Sequence, residues 1–288
     1  MRIVNYNNTG CTLCYYDSVS SIANVQVSEV NMDRWTHTIR NEDVSWIGIA
    51  GGRARLREAV ELYGWKEGVD RGLEAFGELT APKLPSIRRK RGFRDYGHAI
   101  NMSRVYSGSA HKAWSSSRRE LTDKKISKKG LVNVVVDFST SCRVGSDRYF
   151  WRGALGVLLA KALMNSGRKV RILAALSCTG FKSNGNPEKS KGEKNLTSII
   201  QVKDFIQPLE YNTMFAVTAL AGFYRHYQFK VILSMPCRVG AGLGYPDTVV
   251  LDRMAPIIDD NPVIIIENIW DKETAKRKAN NIVKELEQ

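Results

Sequence analysis

Asp137, Ser139 and Ser141 stand in the pattern D-x-S-x-S. One carboxylate with two hydroxyls two residues apart supplies hard oxygen ligands on one side of a small cation, leaving water or a partner's carboxylate to complete an octahedron around Mg²⁺. Other chemistries find less in the chain. His37, His98, His111 and His226 show no H-E-x-x-H or H-x-E spacing, so zinc hydrolysis has no support. Ser139 or Ser141 as a nucleophile needs a base within reach, and no G-x-S-x-G elbow surrounds them. Cys11 and Cys14 form one CxxC, half of a zinc site without a second pair at finger spacing. Cys142 beside Arg143 is a single thiol next to a base. Gly240-Ala241-Gly242-Leu243-Gly244 is followed by the turn Tyr245-Pro246-Asp247, whereas a dinucleotide fingerprint needs a helix directly behind its glycines.

A second kind of chemistry is electrostatic. The chain carries 43 Lys+Arg against 29 Asp+Glu, a formal charge of +14 over 288 residues. From Pro82 to Lys129 there are 14 Lys/Arg against three acids, Asp95, Glu120 and Asp123, so most of the excess lies in one sixth of the length. Arg88, Arg89, Lys90 and Arg91 form a run, with Arg94, Arg118, Arg119, Lys124 and Lys125 beyond it. Phe93, Tyr96, Tyr106 and Trp114 are interleaved. Cations neutralise phosphates and aromatic faces stack on bases, so this mixture suits a single-stranded nucleic-acid track; the competing reading is a solvated connector.

The elements that must position Asp137 are legible as pattern. Residues 131–138, LVNVVVDF, are a Val-rich run of the kind that forms a strand buried on both faces, and Asp137 falls at its carboxyl end, where open α/β sheets bind ligands. Tyr149 to Asn165 is apolar on most of its circumference and stops at Ser166-Gly167, which predicts a buried helix. Lys169 to Ser177 and Ser198 to Ile206 read as the next two strands, joined by a long polar loop. A helix from Tyr211 to His226, strands at Phe229 to Met235 and Val263 to Asn268, and an amphipathic helix from Lys272 to Leu286 complete the succession. Upstream, Arg53 to Tyr63 and Trp65 to Phe76 predict a short helical hairpin broken at Gly64. The expected fold is therefore α/β: a layered, mainly parallel sheet with helices on both faces. Its expected parts are a mixed N-terminal region over 1–80, a basic connector over 81–129 and the main domain over 130–288.

D-x-S-x-S after the first strand, a long apolar helix, and two consecutive strands without a helix between them resemble the von Willebrand factor A-like fold and its metal-ion-dependent adhesion site. The resemblance implies binding of a protein partner through Mg²⁺, with a Thr from a second loop and an Asp from a third. Thr213, in Tyr211-Asn212-Thr213, is the second-loop candidate. The third loop departs from the pattern: the strand expected to end at Leu233 leads into Ser234-Met235-Pro236-Cys237, and Asp247 lies too far along. The implied Mg²⁺ site is accordingly a weak one. The chain also looks like a set of phage- and plasmid-encoded proteins, on Gly64-Trp65-Lys66-Glu67-Gly68, Tyr106-Ser107-Gly108-Ser109 and Arg152-Gly153-Ala154.

These readings converge on a non-enzymatic interaction protein that binds a protein partner, or itself, through Asp137, Ser139, Ser141 and Thr213 around Mg²⁺. The alternative is a nucleic-acid-binding phage protein, in replication, packaging or the virion, acting through 82–129. Metal-assisted hydrolysis ranks third, since the sequence shows no second carboxylate or general base paired with Asp137. No apolar run reaches the roughly 18 to 20 residues a membrane span needs, so no membrane partner is expected, and the expected setting is the host cytoplasm or the virion.

Overall fold

A computed structural model describes residues 2–6, 11–22, 25–77, 79–81, 88–94, 99–108, 110–120, 130–139, 144–181, 194–234, 238–239, 261–267 and 269–287. The chain divides into two compact units, one made of 1–82 with 131–288, the other of 83–130. In chain order the elements begin with β1 (Arg2–Tyr6), β2 (Cys11–Tyr16), α1 (Met32–Arg40), α2 (Val44–Ile47) and α3 (Gly52–Glu58), which continues as a π-helical turn, Ala59–Tyr63. Next come α4 (Lys66–Phe76), β3 (Arg88–Arg94), β4 (Ala99–Ile100), α5 (Met102–Tyr106) and β5 (Trp114–Glu120). The main succession is β6 (Leu131–Asp137), α6 (Ser146–Asn165), β7 (Lys169–Phe181), β8 (Lys194–Lys203) and α7 (Tyr211–Thr218). A π-helical segment, Phe223–Gln228, runs into α8 (Phe229–Leu233), followed by β9 (Arg238–Val239), β10 (Val263–Ile266) and α9 (Lys272–Glu287).

The larger unit is built on β6. Every residue of β6 after Leu131 is buried, and the strand lies between two parallel neighbours, β7 and β10. The described strands run in the order β1-β2-β8-β7-β6-β10, with β9 on the far end of β7. β8 returns antiparallel to β7, β2 adds parallel to β8, and β1 closes that edge antiparallel. The N-terminal region thus extends the sheet. Alternation along the strands separates two faces. Val132, Val134, Val136, Val170, Ile172, Ala174 and Ile200 pack into one core with the helices. Leu13, Val135, Leu173, Ala175 and Ile199 form a second, fully buried cluster on the other face, and no described helix contributes to it.

α6 is apolar all round because it is covered on more than one side: it packs on β6, β7 and β10 below and against α4, α7 and α9. Small residues make that possible. A Cβ at Gly156 would press on Val136, and one at Gly153 would collide with the Thr218 carbonyl where α7 crosses.

Residues 229–235, expected as a strand, are helical from Phe229 to Leu233. A short, fully buried apolar run carries no periodicity of its own, so FKVIL fits either element. Here it prolongs the preceding helical segment without a breaker, and its last carbonyl is tied down: the Leu233 oxygen accepts from the Ser28 amide at 3.1 Å, the Ser28 hydroxyl at 2.9 Å and Asn31 Nδ2 at 3.1 Å. The fourth strand beside β6 is instead β10.

The smaller unit, read from sequence as a connector, folds as a three-stranded antiparallel sheet in the order β3-β5-β4. RRKRGFR and WSSSRRE lack the apolar alternation that announces a strand, which is why the sequence pattern did not reveal them.

Gly153→Ala should destabilise the protein by about 1 to 3 kcal/mol in urea unfolding, although Ala is the better helix former by about 1 kcal/mol. Gly145→Ala, where an added Cβ meets nothing within 4 Å, should cost much less.

Candidate functional site

β7 and β10 leave β6 on opposite sides, so the strand order reverses between β6 and β10, and the carboxyl ends of these two strands border a crevice of the kind α/β proteins use for ligands. Asp137 is the last residue of β6 and is 3% exposed. Phe138 prolongs the ladder by donating its amide to the Ala175 carbonyl at 2.8 Å. The chain then turns over the Asp137 side chain, whose Oδ1 accepts from the Ser139 amide at 2.8 Å. Ser139 Oγ in turn accepts from the Ser177 amide at 2.8 Å, which fastens the turn to β7. The D-x-S pattern therefore builds the turn as well as furnishing oxygen atoms.

Two side chains to which the sequence reading gave no role here complete the site. Arg152, from the second turn of α6, is buried and donates Nη1 to the Asp137 carbonyl at 2.8 Å. Its guanidinium lies 5.2 Å from the centre of the Trp270 ring, and that of Arg148 lies 5.3 Å from the same ring. Glu267 directly follows β10, and the pairing of Ile266 with Val136 sets it beside Asp137. The floor is aromatic: Phe138, Tyr149 and Tyr224 have mutual ring separations of 4.9 to 6.3 Å.

Burial pushes the Asp137 carboxyl up to about 6; the Ser139 hydrogen bonds and Arg152 work against that rise, and the Glu267 charge adds to it. The Ser139 amide bond goes to Oδ1 and Arg152 Nη1 is engaged with a backbone carbonyl, so the carboxylate keeps lone pairs for a further ligand. Two carboxylates and a hydroxyl are hard oxygen donors of the kind Mg²⁺ accepts. Among the described residues no three His, Cys, Asp or Glu gather as a metal-binding group, so a cation here would lean on hydroxyls and on water, which Mg²⁺ retains readily.

The remaining expected residues are distributed otherwise. Ser141 lies outside the described residues, as do Cys142, the glycine-rich segment 240–244, Lys124 and Lys125. Thr213 is described and stands apart from Asp137. It lies in the first turn of α7, against Gly64, where an added Cβ would come within 2.7 Å of its amide nitrogen. That end of α7 faces Lys161, whose Nζ is 5.2 Å from the Tyr211 ring, nine residues along α6 from Arg152 and so about 14 Å away by helix rise. The cause is topological: β8 is antiparallel to β7, so the loop behind it opens at the amino ends of β6 and β7. Cys14 is buried in the core beneath the helices, which removes it from any zinc half-site at the surface.

In the smaller unit the backbone register gathers the basic residues. Arg89 stands opposite Arg119 and Lys90 opposite Arg118, with Arg88 opposite Glu120 and Arg94 opposite Trp114. Two runs of cations about 30 residues apart in sequence become one antiparallel ribbon. Like charges directly opposite each other destabilise a ladder.

Residues 5–288 match the model of a family described as a domain of unknown function, DUF7192. The chain belongs to the DUF7192 family. No curated protein and no solved structure matches it. No helix among the described residues of this DUF7192 member is long and apolar enough to cross a membrane.

Because its folded pKa of about 6 lies above the ordinary 3.8, Asp137 binds its proton more tightly in the folded chain. Its contribution to stability is complete below about pH 3.8 and is lost as the pH rises through about 6. In metal-free buffer the stability difference between wild type and Asp137→Asn should therefore move by roughly 3 kcal/mol in favour of the variant between pH 3.5 and 7, as measured by denaturant titration. A flat difference across that window would contradict the burial assigned to Asp137.

Proposed function

We propose that this DUF7192 protein is a non-enzymatic interaction protein. In this reading its larger unit has von Willebrand factor A-like layering, with a second layer over the face that carries Leu13, Val135 and Leu173. Asp137, Ser139, Ser141 and Glu267 hold Mg²⁺ weakly, and a protein partner completes the coordination. The observation that carries the reading is the placement of Asp137 and Glu267 on neighbouring strand ends where the strand order reverses. Glu267 supplies the acidic group that the resemblance expects from a third loop, and it comes from the strand that does neighbour β6. Mg²⁺ would supply positive charge and an open coordination position for a partner's carboxylate. Arg152, stacked 5.2 Å from the Trp270 ring, is the cation that stands beside Asp137.

Titration with Mn²⁺ as a spectroscopic stand-in, read by electron paramagnetic resonance, should give one ion per chain that Mg²⁺ displaces. Asp137→Ala should abolish that binding, and Glu267→Gln should weaken it about tenfold, both with unchanged circular dichroism. The absence of binding at millimolar Mn²⁺ would end the metal reading. Partner capture that depends on Mg²⁺ should vanish with Asp137→Ala.

A second reading is favoured by one specific observation. The register of β3 with β5 sets cation against cation, an arrangement that a polyanion would relieve, and Tyr106 in the same unit is 81% exposed and offers a stacking face. We infer from this that the unit 83–130 binds single-stranded nucleic acid. Fluorescence anisotropy across a salt series should give a slope of about 0.7 log units per phosphate contacted. Arg119→Glu, placed opposite Arg89, should stabilise the protein by about 0.2 to 1 kcal/mol while weakening nucleic-acid binding. A variant that is more stable and binds equally well would refute the ribbon as the binding surface.

A further inference from the structure

Away from the strand ends, a cleft of about 410 Å³ opens in the larger unit between α1, α3 and the helical segments that follow Gly222. Its size is within the range of small-molecule sites. Trp35, Ile39 and Leu56 give it apolar lining, and Arg57, His226 and Lys230 are among the polar residues that line it.

Two rare elements border it. π-helical turns are uncommon and concentrate at functional sites. Here Ala59–Tyr63 contributes Glu61, while Phe223–Gln228 contributes His226 and Tyr227. The two are laced together. Tyr227 donates its hydroxyl to Glu61 Oε1 at 2.9 Å, and Arg57 Nε donates to Glu61 Oε2 at 2.8 Å. Glu61 is thereby fixed as an acceptor for these two donors and is held below the ordinary carboxylate range by Arg57.

His226 is 7% exposed, and its buried Nε2 has no hydrogen-bond partner among the described residues. A buried polar atom left unpaired is costly, and a ligand oxygen in the cleft would relieve that cost. Burial, with Arg53 and Arg225 nearby, holds the imidazole down to about 4, so the ring is neutral at physiological pH. The fixed charges along the cleft are Arg53, Arg57 and Lys230 against Glu61, with Arg53 also bridged to Glu42 at 2.7 Å. The balance is positive.

We propose that this cleft binds a small amphipathic organic anion: an apolar ring or branched chain seated on Trp35, Ile39 and Leu56, bearing one carboxylate or phosphate directed to Arg57, Lys230 and the His226 ring. The site is independent of the Asp137 reading, since it shares no ligand-contacting residue with it.

The test uses the full chain labelled with 5-fluorotryptophan, with the Trp35 fluorine resonance assigned from Trp35→Phe. Phenyl phosphate and benzoate are titrated as anionic probes, benzamide as the neutral isostere, and inorganic phosphate as the headgroup alone. The anionic ring compounds should shift the Trp35 resonance saturably in the micromolar to low millimolar range. Benzamide should bind at least tenfold more weakly, as should inorganic phosphate. Lys230→Gln and Arg57→Gln should each weaken phenyl phosphate binding about tenfold, consistent with the loss of one charge-assisted hydrogen bond. Ile39→Trp, which adds bulk to the apolar lining, should abolish binding while the protein stays folded by circular dichroism. An unmoved Trp35 resonance with every probe would overturn the proposal. So would equal binding of benzamide and benzoate, or binding indifferent to the Lys230 and Ile39 substitutions.

Discussion

The parallel pairing of β6 with both β7 and β10 is the constraint on which the rest of the larger unit depends. A strand with parallel neighbours on both sides spends its backbone hydrogen bonds within the sheet, and where its two faces are also buried, as here, its side chains must be apolar or fully partnered. Val132, Val134, Val135 and Val136 meet the first condition. Asn133 meets the second by accepting from Arg171 Nε at 2.8 Å. Asp137 sits where the two conditions meet solvent. Its burial follows from the sheet, its orientation from the turn through Ser139, and its electrostatic partner from the helix that must cross β6. α6 can lie close enough for Arg152 to reach the Asp137 carbonyl because Gly153 and Gly156 remove the side chains that would hold it away from α7 and Val136.

The same geometry explains which parts of the site could be foreseen. β6 is legible because five successive residues, Val132 to Val136, repeat one requirement, burial, and Asp137 follows as the polar residue that ends the strand. Glu267 was hidden by a competing assignment. FKVIL and VIII are apolar runs of similar length, and neither has a period that separates strand from helix. Placing the fourth strand on the first of them sent the third loop to Ser234 and left Glu267 without a role. Thr213 failed for another reason: sequence spacing places a residue after a strand but does not say at which edge of the sheet the strand ends. The antiparallel return of β8 decides that, and it follows from hydrogen bonding with β7 across a long intervening segment. Arg152 could have been found from its isolation, a cation inside YFWRGALGVLL, where burying an unpaired charge is prohibitive.

Charge is handled in opposite ways by the two units. In the larger one, cations enter the interior only with fixed acceptors: Arg225 donates to the Trp46 and Val144 carbonyls and lies over the Trp46 ring, and Lys203 donates to the Val170 and Asp204 carbonyls at 2.8 and 2.7 Å. Backbone carbonyls satisfy a buried cation without adding a second ion to be desolvated. In the smaller unit, the register of β3 against β5 concentrates like charge instead of dispersing it. A sheet of so few strands has little apolar burial to offset that repulsion. If the unit binds a polyanion as proposed, its stability in the free protein and that affinity would be coupled with opposite sign.

The π-helical segment Phe223–Gln228 joins features that otherwise lie apart. Tyr224 packs on Phe138 and Tyr149 beneath the strand-end turn, while His226 and Tyr227 border the amphipathic cleft, and Gln228 donates to the Ala174 carbonyl on β7 at 3.1 Å. The wider π-helical spacing lets consecutive residues of a short stretch face these separate surroundings. Occupation of the cleft and movement of the strand-end floor would act on the same backbone, because Tyr224 and His226 are only two residues apart. Coupling of this kind requires the segment to have two arrangements of comparable energy.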